Sequence, residues 1–388
     1  MKVSFQDKAA LAAQIYHLVQ TYFAHWQALE DWDYETAYSG FLVELEGCQT
    51  RREVFFCAQK FMAQLNNGHT AFVDFTLLSS INPLGFDARI IGGKWCVTSS
   101  ALREVPAGSC ITKVNGREAR LELVKWARFI SASKPQSKAE LLFCQPLHWP
   151  QTGVLEFAHG MKLEFNLGAK GPQPNRLEAC ALREYQGVPV LHIRHFEGPE
   201  VEAKALEFVC KIKDAPALII DLRGNGGGNS PLDLIEALMN KPIPSWIEET
   251  NSFSGPPFDM RPARVSMRVN TPDKKPLEDA FQGKMAILTD GRTGSAAECF
   301  VMPFKASSRA VIVGQVTLGS NGQPVFAEPF VGAKLIVGAK RQYFPDGTPF
   351  ERVGIVPDVE VAPTAADIAN GFDRVMHAAW QHLVKEAV

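Results

Sequence analysis

The chain has 388 residues, 46% of them hydrophobic and 21% charged, with a formal net charge of −2 at pH 7. That balance creates no single-sign field, which argues against nucleic acid and anionic membrane surfaces and leaves small molecules, peptides and proteins as partners. The length exceeds one ordinary domain, so two or three compact units are expected, and no apolar run approaches a membrane span.

The eight cysteines are widely scattered, with no C-x-x-C pair, and several sit in apolar runs such as "EVFFCAQKF" and "LEFVCKIK". They read as buried, reduced thiols, with neither a zinc site nor a disulfide framework. The N-terminal "MKVSFQDKAALAAQ" has no signal-peptide core and no A-x-A site, so a cytoplasmic address is expected, or a periplasmic or secreted one if a leader has been removed.

Leu11, Ile15, Leu18, Val19, Tyr22, Trp26 and Leu29 recur at helical spacing and predict a helix over 7–30. A second helix is predicted over about 51–66, with Val54, Phe55, Ala58, Phe61, Met62 and Leu65 on one face and an Asn-Gly stop at "NNGHT". From about 71 to 168 short β-type runs alternate with turns, and "CITKVNGREA" carries a hairpin signal at its Asn-Gly. "GAKGPQPN" (168–175) reads as a linker. Strands and helices then alternate, among them "VPVLHIRHF", "PALIIDLRG", "KMAILTD" and "RAVIVG", a pattern of βα units with the sheet covered by helices. A Pro-rich stretch over 241–282 interrupts this order and is expected to be a functional loop or lid.

Two stretches carry chemistry. "LIIDLRGNGGGNS" (218–230) ends a buried strand in charge and then glycines, whose N–H groups can face an anion without Cβ interference. It lacks the spacing of a dinucleotide fingerprint or a P-loop, and a plain tight turn is the competing reading. "ILTDGRTGSAAECF" (287–300) ends a strand and sets Ser295 at the head of a helix. Ser295 and Glu298 have the spacing of an S-x-x-E capping box, the competing structural reading. Both stretches follow the carboxyl ends of buried strands, where sites form in open α/β sheets, so the two can meet in one crevice. A Ser at a helix N-terminus aims its own N–H and that of Ala296 at a developing oxyanion. Asp221 and Arg223 are expected to form a structural pair beside the glycines. His192 and His195 are rival bases whose spacing points them to opposite strand faces.

The series "LIIDLRGNGGG", "TGSAAE", "RAVIVGQVTLGSNG" and "GTPFERVGIVPDVEV" resembles the signature motifs of the carboxyl-terminal processing peptidases and their tricorn-type relatives. The resemblance implies an α/β fold with a crotonase/ClpP-like core, a helical N-terminal segment and an inserted PDZ-like β module, since "VPAGSCITKVNG" is similar to a PDZ turn. The implied divisions are 1–75 for the helical segment carrying the His, 76–170 for the PDZ-like module and 171–388 for the core. Ser295 is then the nucleophile, with Gly227 and Ala296 as the oxyanion hole. The processing-peptidase branch places a lysine where this chain has Ser320, so a Ser–Lys dyad is not expected, and Ser320 is expected to have no part in proton transfer. The tricorn-like branch uses a His and a Glu matched here by His69 and Glu351. Gly68 stands where that branch carries a relay serine, so Glu351 must reach His69 directly or through another group. The implied function is a serine peptidase acting through an acyl-enzyme by a Ser–His–Glu mechanism on a peptide or unfolded protein, without metal or organic cofactor. The alternatives are an inactive peptide- or ligand-binding relative and an esterase or amidase with the same triad. A homo-oligomer is left open.

Overall fold

All five residues of the strand Ala217–Asp221 are buried, as a strand covered on both faces requires. In the computed structural model, which describes residues 2–169, 178–254, 263–271 and 273–385, this strand is central to a six-stranded sheet. The order runs Val359–Glu360, Val311–Gly314, Lys284–Thr289, Ala217–Asp221, Val188–Ile193, Cys180–Tyr185. The pairings are parallel except for the hairpin that Cys180–Tyr185 and Val188–Ile193 form at one edge. Alternation sorts the side chains. Leu218, Ile220, Ile287 and Ile312 pack with helices Pro199–Lys211, Leu232–Leu238 and Ala296–Ala306. Ala217, Ile219, Leu288 and Val313 pack with Val375, Met376, Ala379 and Leu383 of the closing helix Arg374–Lys385.

The N-terminal region is helical: Phe5–Tyr22, Tyr34–Gly47 and Arg51–Met62. Capping boxes at Ser4/Asp7 and Thr50/Glu53 start the first and third. The helix expected over 7–30 stops at Tyr22, because Phe23 turns inward and is fully buried. The chain then forms only a short 3-10 turn, Trp26–Leu29. The helix Tyr34–Gly47 had no counterpart in the periodicity reading, although Asp33 caps it through Glu35 and Thr36 N–H. These helices share a core with Leu335 and Val337 of the strand Ala333–Gly338, which pairs antiparallel with Ala71–Asp74. That pairing brings the segment after the third helix to the core domain.

Between them lies a β-rich module, with strands in the order Phe86–Ile91, Lys94–Ser100, Cys110–Val114, Thr152–Phe157, Lys162–Asn166 and helices Ala119–Ala127 and Ser137–Cys144. The Asn-Gly hairpin is formed, with Asn115 at φ 52° and Gly116 at φ 75° between Val114 and Arg117. The expectation of buried, reduced cysteines fails twice: Cys96 and Cys110 face each other across adjacent strands and form a disulfide, and Cys144 and Cys210 are exposed. The linker expected at 168–175 lies for the most part outside the described residues. The stretch expected as a loop contains two long strands, Ile247–Ser254 and Ala263–Asn270, with the first pairing to Lys340–Tyr343.

Candidate active site

The buried strand Lys284–Thr289 runs into Asp290, whose carboxylate accepts from the N–H groups of Gly224, Arg292 and Thr293. This ties the turn before Ser295 to the glycine loop. A second tie is Gly294 N–H to the Asn225 carbonyl, at 2.9 Å. The turn delivers Ser295 at φ 54°, ψ −125°, a strained conformation for a residue with a side chain. Ser295 makes no side-chain cap. The capping-box reading therefore fails on both halves: the Glu298 carboxylate instead accepts from Thr317 Oγ1, Gly319 N–H and Ser320 N–H.

The Ser295 hydroxyl instead meets His69, with Oγ 2.9 Å from Nε2. His69 follows the αL residue Asn66 (φ 47°), which ends the 3-10 turn after the third helix. The strand beginning at Ala71 then anchors the loop to the core. Burial lowers the His69 pKa to about 4, so the imidazole is neutral at neutral pH and Nε2 can accept a proton. His25 lies beside this centre, its Nδ1 3.9 Å from Glu351 Oε1. Burial, with Arg341 and His69 close by, lowers its pKa to about 3.

Glu351 is brought to the same centre but not onto the imidazole. Its Oε1 accepts from Asn67 Nδ2 at 2.8 Å and from Ser133 Oγ at 2.6 Å, and its Oε2 from Asn321 N–H at 2.8 Å. Burial raises its pKa to about 7, against the pull of those three donors. The group at His69 Nδ1 is Ser320, whose Oγ stands 3.1 Å away. Position 320, from which no part in proton transfer was expected, thus lies in contact with the imidazole.

Ala296 N–H has no hydrogen-bond partner among the described residues, and it opens the helix Ala296–Ala306. Gly227 lies against it: a β-carbon there would come within 2.6 Å of Ser295 Cβ and 2.8 Å of Ala296 N. Glycine is thus required to keep the space over that N–H open, and its φ of 105° requires it as well. Its own N–H, however, is turned to Asn225 Oδ1 at 2.9 Å. The Gly227 carbonyl accepts from Phe196 N–H at 2.8 Å. Across a planar trans peptide the Gly228 N–H then points the opposite way, and it is unpaired among the described residues.

The rival bases are placed elsewhere. His192 Nδ1 lies 3.1 Å from Asp221 Oδ2, and His195 Nδ1 accepts from Glu197 N–H at 3.2 Å. Arg223 is bonded to Asp221 at 2.9 and 2.8 Å and also to Asp373. Burial works against the Asp221 charge, but Arg223 and His192 hold its carboxyl well below the usual range.

Sequence reasoning missed Asn67, Ser133, Asn225 and Asn321. Asn67, Asn225 and Asn321 each lie within a motif already singled out, which is a usable signal. Ser133 comes from the β-rich module, in "SASK", and nothing in its local pattern marks it.

Residues 187–361 match the model of Peptidase family S41. The fold is similar to that of mature CPAF, with a TM-score of 0.73, 15% identity, and 99% of each chain covered. It is also similar to the photosystem II D1 C-terminal processing protease, with a TM-score of 0.54 and 17% identity over 93% of this chain and 94% of that one. The tricorn protease aligns with 99% of this chain and 37% of its own, at 16% identity and a TM-score of 0.53.

Proposed function

The chain belongs to peptidase family S41 through residues 187–361 and is a serine protease, and from that premise we propose that it hydrolyses peptide bonds through an acyl-enzyme formed on Ser295. The observation that carries this reading is the 2.9 Å separation of Ser295 Oγ and His69 Nε2, at a serine whose side chain does no capping. His69 takes the Ser295 proton as Oγ bonds to the scissile carbonyl carbon, and returns it to the amine that leaves. Water then repeats the cycle on the ester. The carbonyl oxygen, negative in the tetrahedral intermediate, rests on the Ala296 N–H at the positive end of its helix. A second donor comes from the Gly226–Gly228 run. With Gly227 N–H held by Asn225, the Gly228 N–H fits that role and Gly227 supplies the clearance. Glu351 completes a Ser–His–Glu set as a carboxylate acting on His69 through intervening groups. No step calls for a metal or organic cofactor.

In this reading residues 171–388 form a crotonase-like core, 1–75 the helical segment that supplies His69, and 76–170 a PDZ-like module. An extended peptide or unfolded segment would engage this module by main-chain pairing. The test is covalent labelling with a fluorophosphonate, compared between the native chain and Ser295→Ala, followed by turnover of matched peptide and ester substrates. Labelling confined to the native chain and efficient peptide turnover are expected. Absence of labelling, or ester turnover alone, would remove the peptidase reading.

A further inference from the structure

We propose that Ser320 is the positioning residue of the catalytic base, its hydroxyl holding His69 at Nδ1 while its backbone carbonyl holds the nucleophile. This rests on the reading of Ser295 and His69 given above. Ser320 is 2% exposed and touches both partners: Oγ lies 3.1 Å from His69 Nδ1, and the carbonyl accepts from Ser295 N–H at 2.8 Å. One residue therefore sets the distance between base and nucleophile.

Its own position is fixed from below. Glu298, fully buried one turn into the helix that Ser295 opens, accepts from Ser320 N–H at 3.0 Å and from Gly319 N–H at 2.8 Å. The next N–H, that of Asn321, is held by Glu351. The carboxylate thus reaches the imidazole by way of the Ser320–Asn321 backbone rather than by contact.

The residue before His69 makes room for this arrangement. A β-carbon on Gly68 would fall 2.3 Å from Ser320 Oγ and 2.9 Å from Ser320 Cβ. Gly68 does not have a left-handed φ, so space and not backbone freedom is what demands glycine there. Gly68 and Ser320, far apart in the chain, are thereby made interdependent.

A hydroxyl differs from a carboxylate at Nδ1 in one respect that matters. It can accept from Nδ1–H or donate to Nδ1, so it orients the ring in either tautomer and adds no charge to stabilise the imidazolium. The role is orientation, and orientation errors of about 1 Å can cost on the order of 10²-fold in rate.

The experiment compares Ser320→Ala, Gly68→Ala and the native chain in steady-state peptide turnover and in the rate of fluorophosphonate labelling, with thermal unfolding as a folding control. His69→Ala and Ser295→Ala serve as references for the underlying reading. In Ser320→Ala, kcat and the labelling rate should fall together by about 10- to 100-fold with KM within about twofold. The His69 Nδ1–H proton resonance should move or broaden. Gly68→Ala, which leaves Ser320 in the sequence but displaces its hydroxyl, should reproduce the loss. Native-like rates in a folded Ser320→Ala protein, while Ser295→Ala and His69→Ala are dead, overturn the positioning role and leave the peptidase reading standing. Native-like rates in His69→Ala would remove both.

Discussion

Asn67 Nδ2 donates to Glu351 Oε1 at 2.8 Å, across 284 positions of sequence. The other end of the same fully buried amide accepts from His69 N–H at 3.0 Å and from the Thr70 hydroxyl at 2.9 Å. One side chain thus fixes the loop carrying the base and the carboxylate behind it. Asn67→Ala should strip three groups of their partner, costing about 1–3 kcal/mol of stability and a larger share of kcat than of KM. Thermal unfolding and steady-state kinetics on one preparation check both parts.

The strained backbone at Ser295 separates chemistry from stability. Because its side chain makes no cap and its φ is 54°, Ser295→Gly should be more stable than Ser295→Ala by about 1 kcal/mol, seen as a higher unfolding temperature, with both inactive. Equal melting temperatures would mean the turn holds no strain.

The pH dependence follows from two groups displaced by burial in opposite directions, His69 to about 4 and Glu351 to about 7. Facing them are His25, Arg352, Asn67, Ser133 and Ser320, together with Glu298, which burial raises to about 8 with Glu351 adding to the rise. As pH rises, kcat/KM should climb once near 4, when His69 loses its proton. It should climb again near 7, when Glu351 ionises and favours the imidazolium. Glu351→Gln should abolish the step near 7 and spare the step near 4, while any rise near 8 that survives belongs to Glu298. Stability carries the opposite sign for the glutamate. From its ordinary 4.5 up to about 7, the native state keeps a proton the unfolded chain has released, so stability falls with rising pH through that window. His69 works the other way between about 4 and 6.5, where the unfolded chain binds the extra proton and stability rises with pH. Melting curves of Glu351→Gln from pH 4.5 to 8 should decline less than those of the native chain. A single rate step near 6.5 would contradict the two-group scheme.

Gly227→Ala would place a methyl 2.8 Å from Ala296 N. The loss should appear in kcat, at about 10²- to 10³-fold, the scale of removing one oxyanion donor. Asn225→Ala should free the Gly227 N–H and disturb the loop, so its kcat should fall as well, along with stability. Single-turnover acylation rates distinguish these effects from slow product release.

The strands of the core were legible because their apolar runs are continuous and sit between clear turn signals, as in "PALIIDLRG". Ser295 and the glycine loop were legible because each stands at the carboxyl end of such a run. The helix Tyr34–Gly47 escaped because its apolar face is narrow, with Tyr34, Phe41 and Leu45 its only buried hydrophobic residues. The end of the first helix was overrun because Trp26 and Leu29 keep the helical period while Phe23 leaves it. The disulfide was invisible because Cys96 and Cys110 become neighbours only through strand register. Ser320 was read only for the lysine it replaces. What it does touch depends on a contact spanning 251 positions, which no local pattern records.

His69 is held in place by the pairing of Ala71–Asp74 with Ala333–Gly338, and Glu351 by Ser133 of the β-rich module as well as by Asn67. Both are long-range pairings that no local segment can form by itself. On the proposed reading, a chain in which these pairings are unmade has Ser295 without His69 beside it. In that reading the topology acts as an interlock, and hydrolytic power requires the N-terminal segment, the β-rich module and the core together.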